Sequence, residues 1–167
     1  MLISDTYAAE QRRMHENERY GAASKKFAKQ VARLIAAHRP VSILDYGAGK
    51  QALAEALGTT VTAYDPGVYE ISDIPPGKFD LVCCIDVLEH VEPECLPDVL
   101  QSLSLKTGRI AFVTIHTGPA GKHLSDGRNA HLIQKPINWW SKRLQGVFKT
   151  VNAEMFNETT ILAICEN

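Results

Sequence analysis

Val41-Ser42-Ile43-Leu44-Asp45-Tyr46-Gly47-Ala48-Gly49-Lys50 reads as a buried strand running into a tight glycine turn, and the rest of the chain is arranged around it. Val41, Ile43 and Leu44 supply the β-branched and apolar bulk expected of a strand covered on both faces. Gly47 and Gly49 carry no Cβ, so the backbone can turn sharply there and a ligand can approach closely. Residues 51–57 have the composition of a helix that opens directly after the turn. Its first N–H groups would point at whatever sits over the glycines. A lone Gly-x-Gly also fits an ordinary strand-to-helix turn, so neighbouring acids matter. Asp45 stands two residues before Gly47, and Val61-Thr62-Ala63-Tyr64-Asp65 ends a second strand on another acid. In doubly wound folds an acid about twenty residues past the first strand reaches ribose hydroxyls. A dinucleotide fingerprint would need a third glycine where this chain has Ala52.

The pattern hh-Asp-x-Gly-x-Gly resembles motif I of the class I S-adenosylmethionine (SAM)-dependent methyltransferases. Asp65 matches their second-strand acid, and Phe79-Asp80-Leu81-Val82-Cys83-Cys84-Ile85-Asp86-Val87-Leu88-Glu89-His90-Val91 matches their fourth strand. The resemblance implies an α/β, Rossmann-like fold with a mostly parallel sheet and an antiparallel C-terminal strand. It implies SAM as cofactor, with the glycine turn against the methionine part and Asp65 on the ribose. The residues it marks for the cofactor are Asp45, Gly47, Ala48, Gly49, Asp65, Pro66 and Asp86. Gln51 replaces the third glycine of motif I, which bears on how closely the helix start approaches the ligand.

Asp86-Val87-Leu88-Glu89-His90 resembles the Glu-x-x-Glu-His motif of ubiquinone-pathway O-methyltransferases and small-RNA 2′-O-methyltransferases. That likeness implies a divalent ion, Mg²⁺ among the choices, on Asp86, Glu89 and His90, with His131 or His116 completing the set. Asp-x-x-Glu-His also occurs in methyltransferases that use no metal, where Glu89 and His90 orient the helix start and loop. Both readings stand on the sequence.

A chain of 167 residues suits one domain with one real core. Its expected parts are an N-terminal helical cap (1–39), a SAM-binding core (40–117), a lid or acceptor loop (118–136), and a C-terminal helix with a strand pair (137–167). The net charge of −1 excludes no partner. No long uncharged apolar run predicts a membrane span, and the polar N-terminus is unlike a secretory signal. Cys83, Cys84, Cys95 and Cys165 lack metal or redox spacing and read as buried thiols of a cytoplasmic protein.

Within the cap, Phe27, Val31, Leu34 and Ile35 recur at helical spacing, with a break expected near Tyr20-Gly21. Tyr20, Gly21 and Ser24 are candidates for the pocket rim by resemblance. Pro66-Gly67 and Pro75-Pro76-Gly77 leave too little chain for a helix, so the third-strand region is predicted to be shortened to a stub around residues 69–71 or absent. Asp73 or Ile74 is then left to meet the adenine. Residues 94–105 read as a helix closed by Gly108, and residues 109–117 as the next strand, ending on His116.

Methyl transfer needs acceptor and methyl group held in line, and a base for the acceptor's proton. His116 and His131 are the candidate catalytic bases, since imidazole titrates near neutral pH. Arg109, Lys122, Arg128, Lys135, Lys142, Arg143 and Lys149 face only Asp126 over 109–149. Such a tract suits an anionic acceptor or nucleic acid, or is a solvated surface. Trp139-Trp140 is a stacking surface or, by the plainer reading, one core residue and one at the solvent boundary. The function that follows is O- or N-methyl transfer to a small or phosphorylated acceptor. Its rivals are a nucleic-acid methyltransferase, metal-assisted or not, and a non-catalytic SAM-fold partner subunit.

Overall fold

A computed structural model describes residues 1–17 and 20–167. Its strands are β1 (Ile43–Tyr46), β2 (Thr62–Tyr64), β3 (Phe79–Ile85), β4 (Thr107–His116), β5 (Thr150–Met155) and β6 (Thr160–Glu166). They form one sheet in the order β2-β1-β3-β4-β6-β5. The first four pair in parallel, and β6 enters antiparallel to both β4 and β5. The helices are α1 (Asp5–His15), α2 (Ala28–His38), α3 (Ala52–Leu57), α4 (Leu96–Lys106) and α5 (Ile137–Gln145). Glu18 and Arg19, inside the expected cap, lie outside the described residues. No described helix is long and apolar enough to cross a membrane.

The apolar run of β3 is buried because successive side chains serve opposite faces. Val82 and Cys84 join Leu103, Trp140 and Leu144 on the face covered by α4 and α5. Leu81, Cys83 and Ile85 join Phe27 and Val31 on the face covered by α2 and the 3-10 turn before it. Phe112 and Val113 divide likewise along β4. Trp140 is fully buried while Trp139 lies at the boundary under the Arg143 guanidinium, 4.8 Å from its ring centre, as the plainer reading of the pair expects.

Two expectations change. Val41 is 93% exposed, because the strand starts at Ile43 and Val41 only donates its N–H to Asp80 on the way in. Gly108 does not close α4: it lies inside β4, where a Cβ would stand 3.0 Å from the Phe79 carbonyl oxygen. The third-strand region is shortened as expected, and of the two outcomes, stub or absence, it is absence: no strand forms there among the described residues. Tyr69–Ile71 is a 3-10 turn closed by Asp65 N–H donating to the Ile71 carbonyl, so β2 is left at the sheet edge. Prolines 75 and 76 lack the N–H groups a strand would offer β2.

Gln51 adopts φ 56°, the left-handed conformation that glycine takes without cost. The chain thus keeps the backbone of the missing glycine while carrying a side chain that disfavours it, by about 1 kcal/mol. Gln51→Gly is expected to raise the urea unfolding midpoint. A lowered midpoint would mean that the glutamine side chain contributes more than the strain it carries.

Candidate functional site

The carboxyl ends of β1 to β4 converge on one cavity, where open α/β sheets bind ligands. Its floor is the glycine turn. Gly47 and Ala48 donate their N–H groups to the Tyr64 carbonyl at the end of β2, at 2.7 and 3.0 Å. Both glycines have positive φ, 83° and 49°. A Cβ on Gly47 would stand 2.4 Å from a Val87 methyl, and one on Gly49 2.6 Å from the Gly21 carbonyl oxygen. The close approach that glycine permits at residue 49 is therefore made by the N-terminal cap.

Asp65 binds this floor together. Its Oδ2 accepts from Gly49 N–H at 2.9 Å and its Oδ1 from Gly67 N–H at 2.8 Å. His15 Nε2 lies 4.0 Å from Oδ2. Burial lowers the His15 pKa, outweighing the pull of Asp65, so the contact is not a full ion pair at neutral pH. Asp45 lies 2% exposed in β1, and neither carboxylate oxygen has a partner among the described residues. Burial, followed by the charge on Asp65, raises it to about 7.

The cavity encloses about 540 Å³. Of the cofactor candidates, Gly47, Gly49, Asp65, Pro66 and Asp86 line it, as do Tyr20, Gly21 and Ser24 from the rim. Asp45 and Ala48 are buried behind it, and Asp73 and Ile74 do not reach it. Asp86 has φ 54°, a strained conformation for a non-glycine residue. Thr114 holds it there: the Thr114 hydroxyl donates to Asp86 Oδ1 at 2.8 Å, and Asp86 N–H donates to the Thr114 carbonyl at 3.1 Å.

Five cavity-lining side chains present a buried polar atom with no partner among the described residues: Gln11 Nε2, His15 Nδ1, Ser24 Oγ, Glu89 Oε2 and Lys122 Nζ. Buried polar groups are almost always satisfied, so this concentration marks a site built for a polar ligand. Lys122 Nζ also stands 5.0 Å over the Tyr20 ring. The rest of the basic tract does not reach the cavity. Arg128 pairs with Asp126, and Lys135, Lys142 and Arg143 border a separate groove beside Trp139.

Glu89, His90 and His131 converge, with one ligand atom from each lying within 4.8 Å of the others. The Nδ1 of His90 meets the Ala130 carbonyl at 2.9 Å, and that of His131 meets the Gly118 carbonyl at 2.7 Å. A carbonyl only accepts, so each Nδ1 carries the proton and each Nε2 keeps its lone pair. Burial holds both imidazoles below their usual range, His90 well below it. Glu89 is fully buried, one oxygen accepting from His116 N–H at 2.8 Å, and burial raises its pKa. Asp86 stays outside this group. His116 lines the cavity with its ring centre 5.0 Å from that of His131.

Tyr7, Gln11 and His15 line the cavity but were not among the candidates from sequence, while Lys122 was named there only as one base of the 109–149 tract. Residues 7, 11 and 15 share one helical face, so their i, i+4 spacing is the signal available. The loop 118–136 folds onto the same helix: Ser125 donates to Glu10 through N–H and hydroxyl, both at 2.8 Å, and Leu124 and Ala130 pack with Tyr7 and Met14.

A family model described as a methyltransferase domain matches residues 14–167. The search of curated proteins gave no match. Among solved structures, the Burkholderia thailandensis 1,6-didemethyltoxoflavin-N1-methyltransferase, with 1,6-didemethyltoxoflavin and S-adenosylhomocysteine bound, has a TM-score of 0.67 at 16% identity, covering 97% of this chain and 89% of that one. The DhpI–SAH complex has a TM-score of 0.66 at 16% identity, covering 97% of each chain. The methyltransferase domain of bacterial CtHen1 has a TM-score of 0.64 at 13% identity, covering 87% of this chain and 100% of that one. At these identities the likeness is one of fold.

Asp45 makes stability depend on pH. Its folded pKa, about 7, lies above the ordinary 3.8, so its contribution is fully present below pH 4 and is lost as pH rises to about 7. The slope is roughly 1.4 kcal/mol per pH unit across that window. Thermal melts of ligand-free Asp45→Asn should gain on wild type from pH 4 to 7 and hold a constant lead above. A constant difference throughout would show that Asp45 is not shifted.

Proposed function

Because the chain belongs to the methyltransferase-domain family, we propose that it transfers the methyl group of SAM to an oxygen or nitrogen of a small, anionic acceptor. The observation that carries this reading is the set of buried polar atoms, unpartnered among the described residues, that line the cavity above the glycine turn and Asp65. The fit to SAM is chemical. Asp65 keeps accepting capacity after its two backbone bonds and suits ribose hydroxyls. A volume of about 540 Å³ lies within the usual range for cofactor pockets. The neighbours crystallised with SAM or S-adenosylhomocysteine share the fold that positions these groups.

Bound there, SAM supplies a methyl group already activated by its sulfonium, so the chain's task is alignment and proton removal. His131 is suited to the second role: neutral at pH 7, with Nδ1–H anchored on Gly118 and the Nε2 lone pair free. His116 stands behind it as the second candidate. Lys122, its buried ammonium over the Tyr20 ring and without a hydrogen-bond partner among the described residues, is placed to meet an anionic group on the acceptor. The loop 118–136 carries Lys122 and His131 together over the cavity, where it acts as a lid that excludes water.

A second reading uses the same imidazoles. Glu89 Oε2 is buried without a partner among the described residues, and Glu89, His90 and His131 each bring one ligand atom within 4.8 Å of the others, an arrangement that fits a divalent cation. Such an ion would polarise an acceptor hydroxyl. Two imidazoles and one carboxylate suit Mn²⁺, Co²⁺ or Zn²⁺ better than Mg²⁺, which favours an all-oxygen shell.

Two measurements test these readings. In calorimetric titration with SAM, Asp65→Ala is expected to weaken binding at least about tenfold, the loss of charge-assisted hydrogen bonds. Equal affinity would remove Asp65 from the cofactor site. Titration with Co²⁺ should give visible absorption from a nitrogen-ligated ion in wild type and none in His131→Ala. Absence of that absorption in wild type leaves His131 as a base alone.

A further inference from the structure

The short chain between β2 and β3 leaves the cavity without its expected wall. No residue from 68 to 84 lines it. The apolar part of its lining includes Leu2, Ile3, Tyr64, Pro66, Val91 and Val99. Two of these come from the first turn of chain before α1. Leu2 packs against the core cluster beside Val87 and Val91, and Ile3 against the cluster that joins Tyr7 to the lid residues Leu124 and Ala130.

This segment is fastened at both sides. The Ser4 N–H and hydroxyl donate to the two oxygens of Glu92, at 2.8 and 2.6 Å. The same Ser4 caps α1, its Oγ accepting from Tyr7 N–H at 3.2 Å and its carbonyl from Ala8 N–H at 2.8 Å. Tyr7 then donates its hydroxyl to the His90 carbonyl at 2.6 Å. Helix α1 is pressed onto the acid loop as well, since a Cβ on Gly67 would stand 2.7 Å from Gln11 Cβ. Leu2 and Ile3 are thus set as fixed wall residues.

Tyr64 and Pro66, the chain neighbours of Asp65, line the same cavity as Leu2 and Ile3, so a base carried by a ribose on Asp65 has this apolar lining within the same space. A flat heteroaromatic ring buries well between aliphatic side chains, and its apolar faces match the walls. We infer that Leu2 and Ile3 hold the adenine of SAM, replacing the wall that the missing third strand would have supplied. The inference rests on the reading of the cavity as a SAM site. Glu92 is the positioning residue, acting through Ser4.

The test uses the whole chain labelled with ¹³C at isoleucine δ1 methyls, the Ile3 resonance being identified by its loss in Ile3→Val. On addition of SAM, Ile3 is expected to shift by ring current and to show a nuclear Overhauser contact to adenine H2 or H8. Leu2→Ala combined with Ile3→Ala should weaken SAM and 5′-methylthioadenosine by the same factor, about tenfold. SAM binding with a silent Ile3, or a folded double variant within twofold of wild type for both ligands, overturns the inference. Failure of wild type to bind either ligand is read separately: it removes the SAM reading, and the adenine assignment with it.

Discussion

The Asp65 carboxylate joins the turn after β1 to the turn after β2. Its oxygens accept from Gly49, in the turn after β1, and from Gly67, in the turn after β2. Each bond to an ionised carboxylate is stronger than a neutral one and sets the direction of the donor. With Gly47 and Ala48 tied to the Tyr64 carbonyl, the ends of two parallel strands become one rigid floor. The N-terminal cap is then laid on that floor, Gly21 accepting from Lys50 N–H and Gln11 resting on Gly67. The cavity is the space left between floor and cap.

Its wall is a row of rings: His15, Tyr20, His90, His131 and His116, with successive centres 5.0, 6.0, 4.7 and 5.0 Å apart. Burial lowers the pKa of His15, His90 and His131, so this row offers lone pairs at neutral pH. Beside them stand the buried Glu89 and Lys122, whose ammonium has no hydrogen-bond partner among the described residues. Leaving such groups unsatisfied costs stability, and a ligand that completes them recovers that cost as binding. Strain is concentrated at the same place, with Gln51 and Asp86 both at positive φ beside the floor.

Much of the sheet was legible from local pattern. The apolar run 81–85, the glycine turn and the acid endings of β1 and β2 each follow from short-range residue preferences, and the parallel pairing of β1 to β4 agrees with the mostly parallel sheet that the resemblance implies. The shortened third-strand region was legible too, because prolines and glycines at both ends leave no room for a helix. Its outcome as a 3-10 turn was not, since the Asp65 N–H to Ile71 carbonyl bond depends on how the loop closes. Val41 misled for a related reason: its β-branched side chain fits a strand, but its place one residue after Pro40 keeps it outside the ladder.

The sequence by itself determined the parallel core, the glycine floor with Asp65 beside it, and the presence of histidines at the carboxyl rim, because these depend on spacing along one strand and the turn that follows it. Only the tertiary structure decided which distant groups share the cavity. Leu2 and Ile3 reach it from one end of the chain, His15 and Gln11 from a helix, and Lys122 and His131 from a loop more than a hundred residues later. It also separated Lys122 from the other bases and brought His131 to Glu89 while leaving Asp86 apart. Such meetings are set by packing of α1 and the loop 118–136 against a sheet whose edge is missing a strand, and no local pattern carries that information.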